Sequence, residues 1–246
     1  MSEWITGRNP VYEVLRANRR VLHHLWIAQG ATQQGRLEEI ILLAQTQNIP
    51  IKYVKRSDLD GIDHHHQAVA LQAAGYPYSD LETIIQFAQD KGEPVFVLLL
   101  DQIQDPQNLG TLLRSAEAFG VHGVILPTAR AASVTPAVVN ASSGAAEMLL
   151  IAQHNIAQAM DRLKEVGGWL VGLEDSEEAQ PPEKLNLKGG IGLVVGSEGE
   201  GLRRLVRDKC DLLMKFPMQG KIDSLNAAVA GSIALFLARQ ARSAKK

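Results

Sequence analysis

The stretch "PVFVLLLDQIQDPQNLGTLLRSAEAFGVHGVILP" (94–127) decides the fold. It opens at 94–101 with a continuous apolar run that ends on Asp101. A run without polar alternation is the pattern of a strand covered on both faces. From 108 to 119 the period changes. Leu109, Leu112, Leu113, Ala116 and Phe119 fall on one face of a helix, with Arg114 roughly opposite, beside Gly110, Thr111 and Ala118. "VHGVILP" (121–127) returns to a strand. Strand, helix, strand at this spacing predicts a parallel sheet with helices packed on its faces.

Toward the C-terminus the alternation continues. The pattern predicts a helix around 135–143, a strand at 148–152, a helix at 155–166 and strands at 169–174 and 192–196. A short helix near 201–208, a strand at 211–216 and a long helix from about Ser224 to Ser243 complete it. Toward the N-terminus, strands at 23–28, 49–54 and 66–74 with a helix at 35–48 predict a small α/β sandwich. "GYPYSD" (75–80) is boundary punctuation, and a short helix at 80–90 with "DKGEP" completes a connecting segment. The expected division is a first domain over 1–76, a linker over 77–93 and a second domain over 94–246.

The bulk properties narrow the function. With 246 residues, 46% of them hydrophobic, the chain can build a sizeable core. The first residues show no basic start followed by an apolar run, so no signal peptide is expected. The longest apolar run, 95–100, is far short of the ~20 residues of a membrane span. One cysteine, Cys210, fits a reducing cytoplasm and reads as a small hydrophobe. A net charge of −2 argues against binding nucleic acid by bulk electrostatics. Arg203, Arg204, Arg207, Lys209, Lys215 and Lys221, against Asp208 and Asp211, form either a basic patch or a solvated face. "DHHHQ" (63–67) is not assigned a metal, because adjacent histidines rarely converge on one ion and no Cys/His partner sits at zinc spacing. Tyr76 and Tyr78 are either base-stacking residues or part of the linker.

In open α/β sheets, ligands collect beyond the carboxyl ends of strands. Three such ends carry unusual residues: "QDPQNLG" leading to Arg114, "GSEGEGL" (196–202) and "PMQGKIDSLN" (217–226). The second is glycine-rich but has no Lys-Ser/Thr after its glycines, so it is not a phosphate loop. Glu198 and Glu200 would also repel a polyphosphate. A cofactor without phosphate, such as the cationic S-adenosylmethionine, suits it better, and a purely structural turn is the alternative. Ser224 is a candidate N-cap for the last helix, and Asn226 could cap or hydrogen-bond locally. The small residues Ala227, Ala228, Ala230, Gly231 and Ala234 would let another backbone approach, from this chain or a second subunit.

Together and in this order, "NLGTLLRSAEAFG", "GSEGEGL" and "PMQGKIDSLN" resemble the three motifs of the SpoU (TrmH-type) RNA ribose 2′-O-methyltransferases of the SPOUT superfamily. "GRNPVYEVL" and "HHQAVALQA" are similar to the L30e-like substrate-binding domain of the large-subunit rRNA branch. The resemblance implies an α/β parallel sheet with a C-terminal trefoil knot, a homodimer formed through the catalytic domain, and S-adenosylmethionine as methyl donor. It implies transfer to the 2′-hydroxyl of a guanosine in large-subunit rRNA. The same reaction on tRNA and a non-catalytic RNA-binding assembly factor are the alternatives.

Carried over by motif, Asn108, Arg114, Glu198, Ser224 and Asn226 fall at catalytic or near-catalytic positions, and Gly196, Phe216 and Leu225 where backbone holds the cofactor. The chain departs from the family pattern at Phe216, where Ile is common, and at Ala227-Ala228, where Val-Ser is common. The resemblance makes Arg114 the candidate for the reacting hydroxyl's proton. Neutralising an arginine of pKa ~13 at neutral pH costs about 8 kcal/mol. Two roles therefore stay open: a general base with a lowered pKa, or a charged group that stabilises the alkoxide or clamps a phosphate.

Overall fold

Why the two halves of this sequence separate is plain from their strand patterns. The computed structural model describes residues 2–221 and 224–243. They form two compact units, 2–77 with Val134–Met148, and Tyr78–Ser133 with the described residues from Leu149 onward.

The first unit runs β1 (Ser2–Thr6), α1 (Arg8–Ala17), β2 (Leu22–Ala28), α2 (Arg36–Thr46), β3 (Ile51–Val54), α3 (Arg56–Asp60) and β4 (Val69–Ala74). Its sheet has the order β1-β4-β2-β3, with only the β2–β3 pair parallel. Ile5, Leu25, Ile27 and Leu71 are fully buried, as are Val11, Val14 and Leu15 of α1 and Leu37, Ile40 and Ala44 of α2. The sequence pattern predicted β2, α2, β3 and β4 but not β1 or α1. "SEWIT" mixes a charge with a tryptophan, and "RNPVYEVLRA" places Pro10 near its start, where the first helical turn tolerates it.

The remaining elements are α4 (Leu81–Asp90), β5 (Phe96–Leu100), α5 (Pro106–Ala118), β6 (Gly123–Leu126), α6 (Pro136–Ala141), β7 (Ile151–Gln153), α7 (Ile156–Glu165), β8 (Gly168–Leu173), β9 (Gly190–Val195), α8 (Arg204–Lys209), β10 (Leu212–Met214) and α9 (Ala227–Ser243). The second unit holds a six-stranded sheet of order β10-β8-β9-β5-β6-β7, parallel throughout. β5 lies inside it, and Phe96 to Leu100 are all fully buried, as their unbroken apolar run predicted. Gly231 is required for packing. A Cβ there would stand 2.5 Å from Leu112 Cδ2 and 3.2 Å from Val195 Cγ2, so α9 lies tight against α5 and β9.

Three expectations are revised. Helix α4 is part of the second core, with Leu81, Ile84 and Ile85 buried, rather than a simple connector. Residues 134–148, read from sequence as part of an unbroken second domain, group with the first unit. There Arg20 Nη2 donates to Glu147 Oε1 at 2.6 Å and Nε to Oε2 at 3.1 Å, both side chains being wholly buried. Asn140 Nδ2 also donates to Thr6 Oγ1 at 3.1 Å. Tyr76 is neither a stacking platform nor a loose linker residue. Its hydroxyl donates to the Ala146 carbonyl at 2.9 Å under the Arg19 and Arg20 guanidinium groups.

Candidate functional site

Three strand ends of the second sheet and the start of α9 meet around one cavity of about 530 Å3. Beyond β9 the chain doubles back within five residues. Ser197 and Gly201 exchange both backbone hydrogen bonds at 3.1 Å. Gly196 must be glycine, since a Cβ would meet the Gly201 carbonyl at 2.3 Å. Gly199 (φ 87°) and Gly201 (φ 66°) take the left-handed region that closes the hairpin. Glu198 and Glu200 are thereby presented on the cavity wall.

The start of α9 supplies the opposite wall. Asn226, not Ser224, caps this helix, which begins at Ala227. Asn226 Oδ1 accepts from the backbone N–H of Ala228 at 2.9 Å and of Val229 at 3.1 Å. That fixes the side-chain amide, because its oxygen is occupied. Its Nδ2 then donates to Asn108 Oδ1 at 3.0 Å and, through a short contact, to Glu198 Oε1. Asn108 itself stands in the first turn of α5, where Asp105 caps by accepting from Gln107 and Asn108 N–H at 3.3 and 3.0 Å. The structure thus brings Asn108, Glu198 and Asn226 into one hydrogen-bonded cluster. Gly196, Phe216, Ser224 and Leu225 line the cavity with Glu198 and Asn226. Arg114 is exposed on α5 and lines neither this cavity nor the smaller one beside it. The serine absent at Ala228 leaves a buried methyl, 2% exposed, whose backbone N–H is held by Asn226.

The sequence reading missed three contributors. Glu174 and Asp175, beyond β8, add carboxylates to the cavity wall. Asp101, wholly buried at the end of β5, holds Arg203 just past the hairpin: Arg203 N–H donates at 3.0 Å, Nε at 2.8 Å, and Nη2 lies 2.6 Å from Oδ1. A charge closing an otherwise apolar strand was the signal available for Asp101.

The basic run after residue 201 is largely spent on ion pairs. Arg203 pairs with Asp101, Arg204 with Asp208, Arg207 with Glu174 and Glu178, and Lys209 with Asp161. Lys215 Nζ donates to the Ser176 carbonyl at 2.7 Å. Cys210 is inert: burial, with Asp211 nearby, pushes its thiol up to about 12. Of the histidine run, His66 is wholly buried, with Nε2 3.1 Å from Asp60 Oδ1 and Nδ1 accepting from Ala68 N–H at 2.8 Å. No group of three or more His, Cys, Asp or Glu side chains among the described residues could hold a metal ion. Nor is any helix among them long and apolar enough to cross a membrane.

The chain is similar to known proteins over both of its parts. Residues 4–79 match the model for RNA 2′-O ribose methyltransferase substrate binding. The chain is 40% identical over 238 residues to YacO of Bacillus subtilis, whose name places it among the TrmH-family tRNA/rRNA methyltransferases; the match covers 95% of this chain and 94% of YacO. It is 41% identical over 247 residues to an uncharacterized tRNA/rRNA methyltransferase of Mycolicibacterium vanbaalenii, covering 99% of this chain and 78% of the relative. Among solved structures, the SpoU methyltransferase AviRb of Streptomyces viridochromogenes, in complex with AdoMet, superposes with a TM-score of 0.80 at 23% identity, over 97% of this chain and 90% of AviRb. The AdoMet-bound rRNA methyltransferase of Sinorhizobium meliloti gives 0.78 at 24% identity, over 97% and 87%. At these identities the likeness is one of fold. Residues 95–236, which carry the cavity and all three motifs, match the SpoU rRNA methylase family model; the chain belongs to that family of RNA methyltransferases, whose enzymes use S-adenosylmethionine.

Proposed function

We propose that this chain, in the cytoplasm, methylates the ribose 2′-hydroxyl of a guanosine in large-subunit rRNA. The observation that carries the reading is the Asn108–Asn226–Glu198 cluster, of which Asn226 and Glu198 stand on the wall of an acidic cavity. The cavity's residues fit S-adenosylmethionine. Glu174, Asp175, Glu198 and Glu200 surround it with the sign a sulfonium needs. Its volume lies within the ~300–1,000 Å3 of small-molecule sites. The backbone of Gly196, Phe216 and Leu225 would hold the donor, which when bound supplies an electrophilic methyl group. Asn226 acts as a rigid strut: its oxygen is committed to the helix, so its N–H groups orient Asn108 and Glu198. Asn226 would also help place the ribose, with Ser224 beside it on the cavity wall. Among the described residues no histidine or cysteine lines the cavity; the hydroxyl's proton is assigned to Arg114 on the strength of its place in the first motif, as base or as charged stabiliser of the alkoxide.

The match of residues 4–79 to a substrate-binding model supports RNA bound through the N-terminal domain. A trefoil knot in the C-terminal segment belongs to the same proposal. So does a homodimer. Val229, Ile233 and Phe236 are 45%, 37% and 48% exposed at helical spacing on α9, and Phe236 meets Phe119 at 5.7 Å. Ile233→Glu with Phe236→Glu is expected to yield monomers in sedimentation velocity; an unchanged dimer would place the interface elsewhere.

The test is incubation with labelled S-adenosylmethionine and protein-free large-subunit rRNA or bulk tRNA. Label in rRNA that Arg114→Ala abolishes is the expected result. Label only in tRNA would overturn the substrate; RNA binding without label would overturn catalysis. Activity of Arg114→Lys restored at high pH would identify a base, and loss at every pH a charged clamp.

A further inference from the structure

A second cavity, of about 350 Å3, lies on the other side of the Ser197–Gly201 hairpin. It shares Ser197, Glu198 and Glu200 with the first and is completed by Gln102, Gln104, Asp105 and Asn108. The reaction proposed above leaves these glutamines unused. We propose that this cavity receives the base of the target nucleotide, and that Gln102, Gln104 and Glu200 read its edge; the assignment rests on the methyltransfer reading.

The wall is built rather than loose. Asp101 N–H donates to Val195 O at 2.7 Å, and the buried Asp101 carboxylate grips Arg203. Gln102 follows in the left-handed region at φ 65°, a conformation costly for a residue with a side chain and concentrated at functional sites. Ile103 is 3% exposed, and its carbonyl accepts from Ala132 N–H at 2.8 Å. Asp105 then caps α5. Gln102, Ile103 and Gln104 all line the cavity. Among the described residues, neither glutamine side chain nor that of Glu200 makes a hydrogen bond, so their polar groups are available. An anchored backbone presents these side chains from a fixed base, which limits what must be ordered on binding.

The chemistry selects the occupant. Among the described residues the lining holds carboxylates and amides beside Ile103 and Ser197 but no lysine or arginine, the wrong set for a phosphate. A nucleobase turned out of its stack is neutral and rich in N–H donors. Guanine sets its N1–H and 2-amino donors side by side, which one carboxylate accepts together, while a glutamine amide can donate to O6. Adenine and uracil cannot offer that pair. The shared hairpin then keeps base and donor on its two sides, with Asn108 and Glu198 toward the base cavity and tied through Asn226.

The experiment uses the full chain and an rRNA fragment carrying the mapped target as guanosine, inosine, adenosine or uridine. Inosine keeps N1–H and O6 and lacks only the 2-amino group. Wild type is expected to prefer guanosine to inosine by roughly tenfold in kcat/KM, in keeping with the ~1–3 kcal/mol of a bidentate base contact. Glu200→Ala should bring that ratio toward one. Gln102→Ala with Gln104→Ala should shrink the guanosine-to-adenosine ratio about tenfold, with Kd for S-adenosylmethionine within about twofold of wild type. Base ratios that stay at wild-type values in these variants overturn the base pocket, as does a loss shared equally by all four RNAs. A wild type that methylates no RNA instead overturns the methyltransfer reading, and the pocket with it.

Discussion

Asn226 shows how much one side chain can be asked to do. Its oxygen holds the first turn of α9 and its nitrogen holds Asn108 and Glu198. Asn226→Ala removes both, and should cost about 1 kcal/mol from the lost cap along with most of the methyltransfer rate. Asn226→Asp separates the two roles. An aspartate caps as well as asparagine, so stability should hold, but it offers no N–H and sets a second negative charge against Glu198, so activity should still fall. Melting curves beside single-turnover rates check this; equal activity in the aspartate variant would show that the cap alone matters. At this scale the sequence was legible where a motif named the residue: Asn108, Glu198 and Asn226 meet as their place beyond strand ends implied. Which residue capped α9 was not legible, because Ser224 and Asn226 are both good caps and only backbone geometry chooses. Asp101 signalled only that a charge closes an apolar strand, and the partners of Asp101 and Glu174 were not legible because Arg203 and Arg207 lie far along the chain.

The elements of the second unit were legible where their apolar pattern was long. β5 declares itself by five buried residues in a row, and α5 by a stripe that the structure buries at Leu109, Leu112, Leu113 and Ala116. Gly110 is buried as well, although the helical wheel put it beside Arg114, because α5 is covered more widely than one stripe. The junction of β5 and β6 carries a consequence for pH. His122 is 1% exposed, and its Nδ1 accepts from Phe96 N–H at 2.9 Å. The proton therefore sits on Nε2, which lies 3.1 Å from Glu93 Oε2. Burial holds the ring below its ordinary value of 6.5, despite the pull of Glu93. The unfolded chain then binds the proton more readily than the folded one. Stability should be full above about 6.5, fall as pH drops below it, and level off once the folded ring also titrates. His122→Asn keeps an acceptor for Phe96 and cannot titrate. Its melting temperature should decline less than that of wild type between pH 7 and 5; parallel declines would assign the acid sensitivity to other groups.

At the scale of the whole chain, contiguity misled the sequence reading. Residues 134–148 follow β6 directly, and the periodicity of α6 says only that a helix forms, not which core receives it. The deciding contact is a pair 127 residues apart, Arg20 and Glu147, which no local pattern encodes. Both side chains are wholly buried, with Glu3 as Arg20's second carboxylate partner. Removing one member of a buried pair strands the other, at about 3–5 kcal/mol. Glu147→Gln should therefore cost near 3 kcal/mol, the low end because Glu3 remains, whereas an exposed pair would cost about 0–1 kcal/mol. Urea titration followed by hydrogen exchange would place the loss: it should fall on amides of β1, β2 and β4 and spare those of β5 and β9. The same pair bears on truncation. A fragment ending at residue 79, the limit of the substrate-binding match, lacks both Glu147 and the Ala146 carbonyl that receives Tyr76. It should show weakened tertiary signals in near-ultraviolet circular dichroism. A fragment that unfolds as cooperatively as the intact chain would mean that 134–148 leans on the first unit without sustaining it.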